Sequence, residues 1–229
     1  MAVSRQISRV QTLPMIALRG LVVFPDMALH FDVGRKKSVQ ALSAAMNADQ
    51  TIFLVTQKDV TVEEPREDQV YTVGVVARVR QVLRLPGDNL RVMVEGLYRA
   101  RLQDVVQDDP YFIALTKECH PRRIADPLKE EALVRECRGY LDEYAAYAHN
   151  LPEEVFLDAS VIDDAGHLAD HIAYGIPLKD EQKQEILAIM GAERRIERLM
   201  GMLQHETAVL KLEAQIHDKV HANMDENQR

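Results

Sequence analysis

Across residues 13–118 the apolar residues fall in short, β-branched and often alternating runs, the pattern of half-buried strands. The spacing predicts strands at 13–18, 51–57, 71–85, 90–95, 97–106 and 111–117. Val73, Val75, Ala77 and Val79 alternate with polar or small neighbours, as do Leu90, Val92 and Val94. Pro86-Gly87-Asp88-Asn89 lies between these two stretches and supplies turn chemistry, so they are expected to form a hairpin. One helix interrupts the strands at 35–47, where Val39, Leu42 and Met46 recur at helical spacing. Its apolar face is expected to cover the sheet.

The period changes after 119–125. Asp126-Pro127 is an N-cap followed by proline at the first helical position, and from there the pattern is helical. Helices are expected at 128–147, 152–162, 166–174 and 179–190, followed by a proline-free stretch from Ala192 to about Asn227. The expected organisation is an α+β chain: a β-rich domain at 1–120, a helical bundle at 121–190 and a long helix at 191–229. The stripe Ile196, Leu199, Leu203 suits a bundle, but beyond Thr207 it narrows to Leu212, Ile216, Val220 and Met224, about one apolar residue per turn. A narrow seam on a protruding helix needs a covering helix, expected from another subunit or a further part of the polypeptide. A frayed, solvated tail is the alternative.

Composition adds boundaries rather than identity. The 229 residues are 47% hydrophobic and 28% charged, with 10 Gly and 9 Pro, which excludes collagen-like and low-complexity classes and leaves ample chain for a core. No run approaches the roughly 18 apolar residues of a spanning helix, and MAVSRQISRVQT has no apolar export region, so a cytoplasmic protein without a membrane partner is expected. Cys119 and Cys137 fit a reducing compartment. Charge is uneven: residues 1–120 hold 15 basic against 14 acidic residues, and 121–229 hold 13 against 22. An acidic chain is a poor phosphate binder, which weighs against nucleic acid as a partner despite Arg78, Arg80, Arg84 and Arg91.

Catalytic chemistry is hard to find. The dipeptide Gly-Lys is absent, so no P-loop exists, and the five serines sit in neither a G-x-S-x-G elbow nor an S-x-x-K pattern. Cys119-His120 with Cys137 lacks the spacing of a zinc site. His167 with His171 and His217 with His221 are i,i+4 pairs, but neither reads H-E-x-x-H, and exposed helix histidines are the simpler account. Glu63-Glu64 and Asp108-Asp109 adjoin prolines and read as solvated loop charge. No catalytic residue, metal site or cofactor is expected.

The run LPMIALRGLVVFPDMALHFDVGRKKSVQAL, then IFLVTQKD, VGVVARV and LRLPGDNLRVMVEGLYRARL, resembles in order and spacing the N-terminal region of Lon, the ATP-dependent protease. LADHIA, KQEIL and LKLEAQIHDKVHANMDENQR extend the resemblance through the helical half. His30-Phe31-Asp32 and Lys36 depart from the family's usual pattern. The resemblance implies a PUA-like β-domain, a helical bundle and a long helix. It further implies a noncatalytic region that captures unfolded or degron-bearing proteins and helps organise a hexamer. ATP, magnesium and the serine endopeptidase activity belong to modules that follow in that family. A free-standing Lon-domain adaptor or regulator is the alternative.

Capture of many unrelated chains calls for exposed, adaptable apolar groups. Phe24, Pro25 and Met27, in an expected loop, and Leu85, Met93, Leu97 and Tyr98, around the hairpin, are the candidates, with Pro25, Met27, Met93 and Tyr98 forming a shallow groove. Core packing is the competing role for each. Arg35, Lys36 and Lys37 at the start of a helix oppose its dipole, which points to pairing with acidic helices, a neighbouring subunit or acidic substrates, against a plain solvated basic surface. Leu212, Ile216, Val220 and Met224 complete the assembly candidates. Repetition around a hexamer would raise the effective concentration of weak sites.

Overall fold

The computed structural model describes residues 8–87, 89–149 and 151–227, with side chains given to His217 and at Lys219. The chain has the α+β architecture expected from sequence: six strands and six α-helices among the described residues. They fall into two compact units, one comprising residues up to Pro121 together with Pro177–Met190, the other Arg122–Ile176 and everything from Gly191.

In the first unit, β1 (Val10–Leu18), β2 (Ala28–Val33), β3 (Thr51–Thr56), β4 (Val73–Arg84), β5 (Leu90–Gln107) and β6 (Ile113–Glu118) form one sheet in the order β2-β5-β4-β3-β1-β6. β5 also pairs with β6, so β1, β3, β4, β5 and β6 close into a barrel, and β2 extends it along the first half of β5. All pairings are antiparallel except β1 with β3. The core inside the barrel is built from Leu13, Met15, Phe53, Val55, Val76 and Leu102, with Tyr71, Tyr98 and Phe112 packed against it. β5 is a single strand where the sequence reading expected two. Its register shifts opposite Val76/Ala77 and again beyond Leu102, and such bulges bend a strand sharply enough to serve three neighbours. The two expected strands, 90–95 and 97–106, meet at Gly96. There the glycine admits another backbone.

One further strand and one side chain depart from the sequence reading. β2 was not expected, although Leu29, Phe31 and Val33 point inward with exposed Ala28, His30 and Asp32 between them. Helix α1 (Lys36–Met46) lies where expected and buries Leu42, as expected, together with Ala41 and Ala45 against β1 and β3, while Met46 is exposed.

The contact division also falls differently from the one drawn in sequence. The helix at 180–188, which the sequence pattern assigns to the bundle, packs on the barrel. Buried Gln184 donates from Nε2 to the Val73 carbonyl (2.8 Å), and buried Arg99 of β5 donates from Nε to the Leu187 carbonyl (2.9 Å). These two bonds pair buried N–H donors that would be costly to leave alone.

The second unit contains α2 (Pro127–Ala145), α3 (Glu153–Val161), α4 (Ala165–Gly175) and the long last helix, α6 (Ala192–Asn227); the helix on the barrel, Asp180–Ala188, is α5. Asp126 caps α2 by accepting from Leu128 N, and Asp164 caps α4 by accepting from His167 N. Arg138 of α2 donates to the carbonyls of Ala159 (2.8 Å) and Ile162 (2.9 Å) at the end of α3. The first half of α6 is buried through Ile196, Leu199, Met202 and Leu203. No helix among the described residues is long and apolar enough to cross a membrane.

Candidate functional site

The closure of the barrel leaves an opening in the first unit. β6 pairs with β1 only as far as Pro14, and β1 then continues to Leu18 with β3 on one side. The end of β2 stands on the other side, and between them lies a cleft of about 340 Å³. Ile16, Leu18, Leu21, Phe31 and Val33 give it an apolar lining, and Arg19, Asp32 and Arg35 give it charge. Arg35 secures this region. Its guanidinium donates to the carbonyls of Ala17 and Glu63 (2.8 Å to Glu63) and to Gln57 Oε1 (3.1 Å). Partial burial, reinforced by nearby Arg19, pushes its pKa down from the ordinary arginine value. A guanidinium stays charged through such a shift, and its fork of donors suits three carbonyl-type acceptors.

The structure separates the apolar candidates. Phe24 is 0% exposed, Met27 7%, and Pro25 is buried, so these three do not present a groove. The physical reason is the clamp at Gly96: Asp26 N donates to Gly96 O and Gly96 N to Met27 O, both at 2.9 Å. Asp26 takes a left-handed backbone conformation (φ 61°), and the turn folds its flanking apolar side chains inward. Tyr98 packs on the barrel core and its hydroxyl accepts from Gln11 Nε2 (2.6 Å). Met93, opposite His30 of β2, and Leu97 and Leu85 are half-buried. Polar replacement of Met27 with Tyr98 would therefore probe folding before it probed binding.

The basic triplet is divided in the same way. Arg35 precedes α1 and is engaged as described. Lys37 Nζ lies 3.7 Å from Glu64 Oε2 and 5.0 Å from the centre of the Phe112 ring. Lys36 is exposed. Of the arginines on the hairpin, Arg91 pairs with Asp32 (2.8 and 3.0 Å) and Arg80 with Glu95, while Arg78 and Arg84 are exposed. The hydrogen bond from Arg91 holds the Asp32 carboxyl below the usual carboxylate range.

No group of three or more His, Cys, Asp or Glu side chains is placed to hold a metal ion among the described residues. Burial pushes the Cys137 thiol up to about 12 and raises that of half-buried Cys119, so neither is an activated thiolate at neutral pH.

On α6 the packing changes along the helix. α2 and α6 run in the same direction: Lys129 meets Glu193 (2.5 Å), Tyr140 meets Gln204 (2.7 Å) and Glu143 meets Lys211 (2.6 Å). α2 ends at Ala145, so α6 continues past the level of its partner by about 24 Å, taking 1.5 Å per residue from Leu212 to Asn227. Leu212 and Ile216 are 57% and 53% exposed there. The side chains of Val220 and Met224 lie outside the described residues.

Comparison with known proteins gives this architecture a family. The model of the "ATP-dependent protease La (LON) substrate-binding domain" matches residues 12–205, which reaches into both compact units. The Lon protease of Brevibacillus choshinensis is 40% identical over 217 residues, covering 95% of this chain and 28% of that protein. The Lon protease of Bacillus thuringiensis is 38% identical over 228 residues, covering 100% of this chain and 29% of that protein. The chain thus spans under a third of the length of these curated relatives. Among solved structures, the N-terminal domain of a Mycobacterium avium complex Lon protease superposes with a TM-score of 0.69 at 20% identity, over 85% of this chain and 98% of that one. A Lon N-terminal domain protein from Xanthomonas campestris gives 0.59 at 16% identity, over 83% and 98%, and both share the fold. With a family match over most of its length and close relatives along all of it, the chain belongs to the Lon protease family, in the part that corresponds to the substrate-binding domain.

Proposed function

We propose that this chain is the noncatalytic substrate-recognition region of an ATP-dependent Lon-type protease, holding unfolded or degron-bearing proteins for a motor and peptidase supplied by other parts of the enzyme. The match of the substrate-binding family model to residues 12–205 carries the reading. The chemistry of the chain supports it: the sequence has no P-loop and no serine in a nucleophile pattern, and the cysteine thiols are held protonated. In this role the chain, given ATP, magnesium and a reduced, S-carboxymethylated lactalbumin, binds that polypeptide and returns it intact by mass spectrometry. Fragments of the polypeptide, or hydrolysis of the ATP, would contradict a noncatalytic role.

Assembly is the second part of the proposal. The segment of α6 beyond Lys211 supports it, because Leu212 and Ile216 follow one another at i,i+4 on a helix that has outrun α2. Such a stripe gains by pairing with the same segment of other subunits, or with the modules that follow in the enzyme. Sedimentation of the chain at rising concentration is expected to show reversible self-association, lost in the Leu212→Gln, Ile216→Gln double variant. A strict monomer in both would remove α6 from the assembly account.

A further inference from the structure

One edge of the sheet is open at β2. β2 pairs with β5 alone, from Ala28 opposite Glu95 to Val33 opposite Leu90. The ladder is entered where Gly96 N donates to Met27 O. Bonded and non-bonded pairs alternate in an antiparallel ladder. Leu29, Phe31 and Val33 therefore exchange main-chain bonds with β5, and the N–H and C=O groups of Ala28, His30 and Asp32 point away from it. Among the described residues no further strand pairs with them.

Edge strands are commonly guarded by lysine, proline or a covering segment, because an open row of donors and acceptors is a template for another chain. β2, with the sequence ALHFDV, carries neither lysine nor proline. Its one acid, Asp32, is neutralised by Arg91 directly across the ladder. Both faces beside the edge are hollow. Phe31 and Val33 face the apolar cleft shared with the end of β1. His30, Phe31, Asp32 and Arg91 line a shallower depression of about 580 Å³. A strand laid on this edge would turn alternate side chains into the two hollows, with the period of its own pleat.

We propose that the free edge of β2 binds an extended segment of unfolded polypeptide as an added strand. The proposal rests on the capture role above and gives that role a place. Main-chain pairing ignores side-chain identity, so one edge serves many sequences, and the cleft then favours segments with an apolar residue at every second position. It also explains how folded proteins would be refused. Their main-chain groups are already paired, whereas those of an unfolded chain are available.

The test is residue-resolved amide hydrogen exchange by NMR on the full chain, with and without saturating reduced, S-carboxymethylated lactalbumin. Exchange at Ala28, His30 and Asp32 is expected to slow by about tenfold or more, while that at Leu29, Phe31 and Val33, already bonded to β5, is unchanged. His30→Pro removes an outward donor and leaves the β5 ladder in place, so it is expected to weaken binding by about tenfold, whereas His30→Thr, which keeps the N–H, does not. Binding of the polypeptide with no change at these three amides would overturn the proposal and leave the capture role standing. Absence of any binding would overturn both. Protection that appears without the polypeptide and grows with chain concentration would make the occupant a second copy, and would also overturn it.

Discussion

Replacing Arg195 with methionine is expected to destabilise the helical unit by about 3–5 kcal/mol, the usual cost of leaving one member of a buried ion pair alone. Arg195 Nη1 lies 3.2 Å from Asp170 Oδ2 and 3.3 Å from the Gly166 carbonyl, and the two charged side chains are only 2% and 5% exposed. The pair joins the first turn of α6 to the middle of α4. In Arg195→Met the Asp170 carboxylate would lose this guanidinium while its side chain is only 5% exposed. Urea unfolding followed by far-ultraviolet circular dichroism reads the loss as a lower midpoint. The Asp170→Leu, Arg195→Met double variant is expected to recover much of it, because two apolar groups leave no charge stranded. A single variant that unfolds within about 1 kcal/mol of the parent would show that the pair does not hold α6 in place.

Alanine at Gly96 is expected to destabilise the barrel by about 3 kcal/mol, at the upper end of the usual cost of overpacking. A methyl group there would stand inside contact distance of the Phe24 carbonyl oxygen and 3.2 Å from Pro25 Cα. Both obstacles are backbone, so relief requires the whole turn to lift, with loss of the two Gly96 hydrogen bonds and exposure of Phe24 and Met27. Thermal unfolding, with tyrosine fluorescence as the probe, measures the effect. Gly139→Ala is the control: it lies in α2 with nothing near the added methyl, and is expected to be neutral or to stabilise by up to about 1 kcal/mol. If Gly96→Ala matched that control, the turn would be loose enough to open, and Phe24 and Met27 would return as candidates for a binding surface.

The elements that were legible in the sequence are those whose signal is local. The helices beginning at Asp126-Pro127 and the 71–85/90–95 hairpin carry their own caps, turns and periods, and they are found where the pattern places them. What was not legible depends on distant partners. Gly96 reads as a break until the 24–27 turn is seen lying on it. α5 has the composition of a bundle helix, and only the bonds from Gln184 to Val73 and from Arg99 to Leu187 reveal that the barrel is its neighbour. Arg35 looks like an exposed cation on a helix end, yet its acceptors are 18 to 28 residues away. The apolar candidates Phe24 and Met27 share this limit, since a loop that folds inward and a loop that projects have the same composition. β2 is the exception: the alternation of Leu29, Phe31 and Val33 with His30 and Asp32 is a local signal that was there to be found.

The most direct measurement is a paired titration of the full chain with one fluorescent polypeptide in two states, lactalbumin with its disulfides intact and the same protein reduced and S-carboxymethylated, followed by fluorescence anisotropy. A substrate-recognition region of a Lon-type protease is expected to bind the unfolded form at micromolar concentrations and to leave the folded form free. Equal affinity for the two forms, or for neither, would contradict the account.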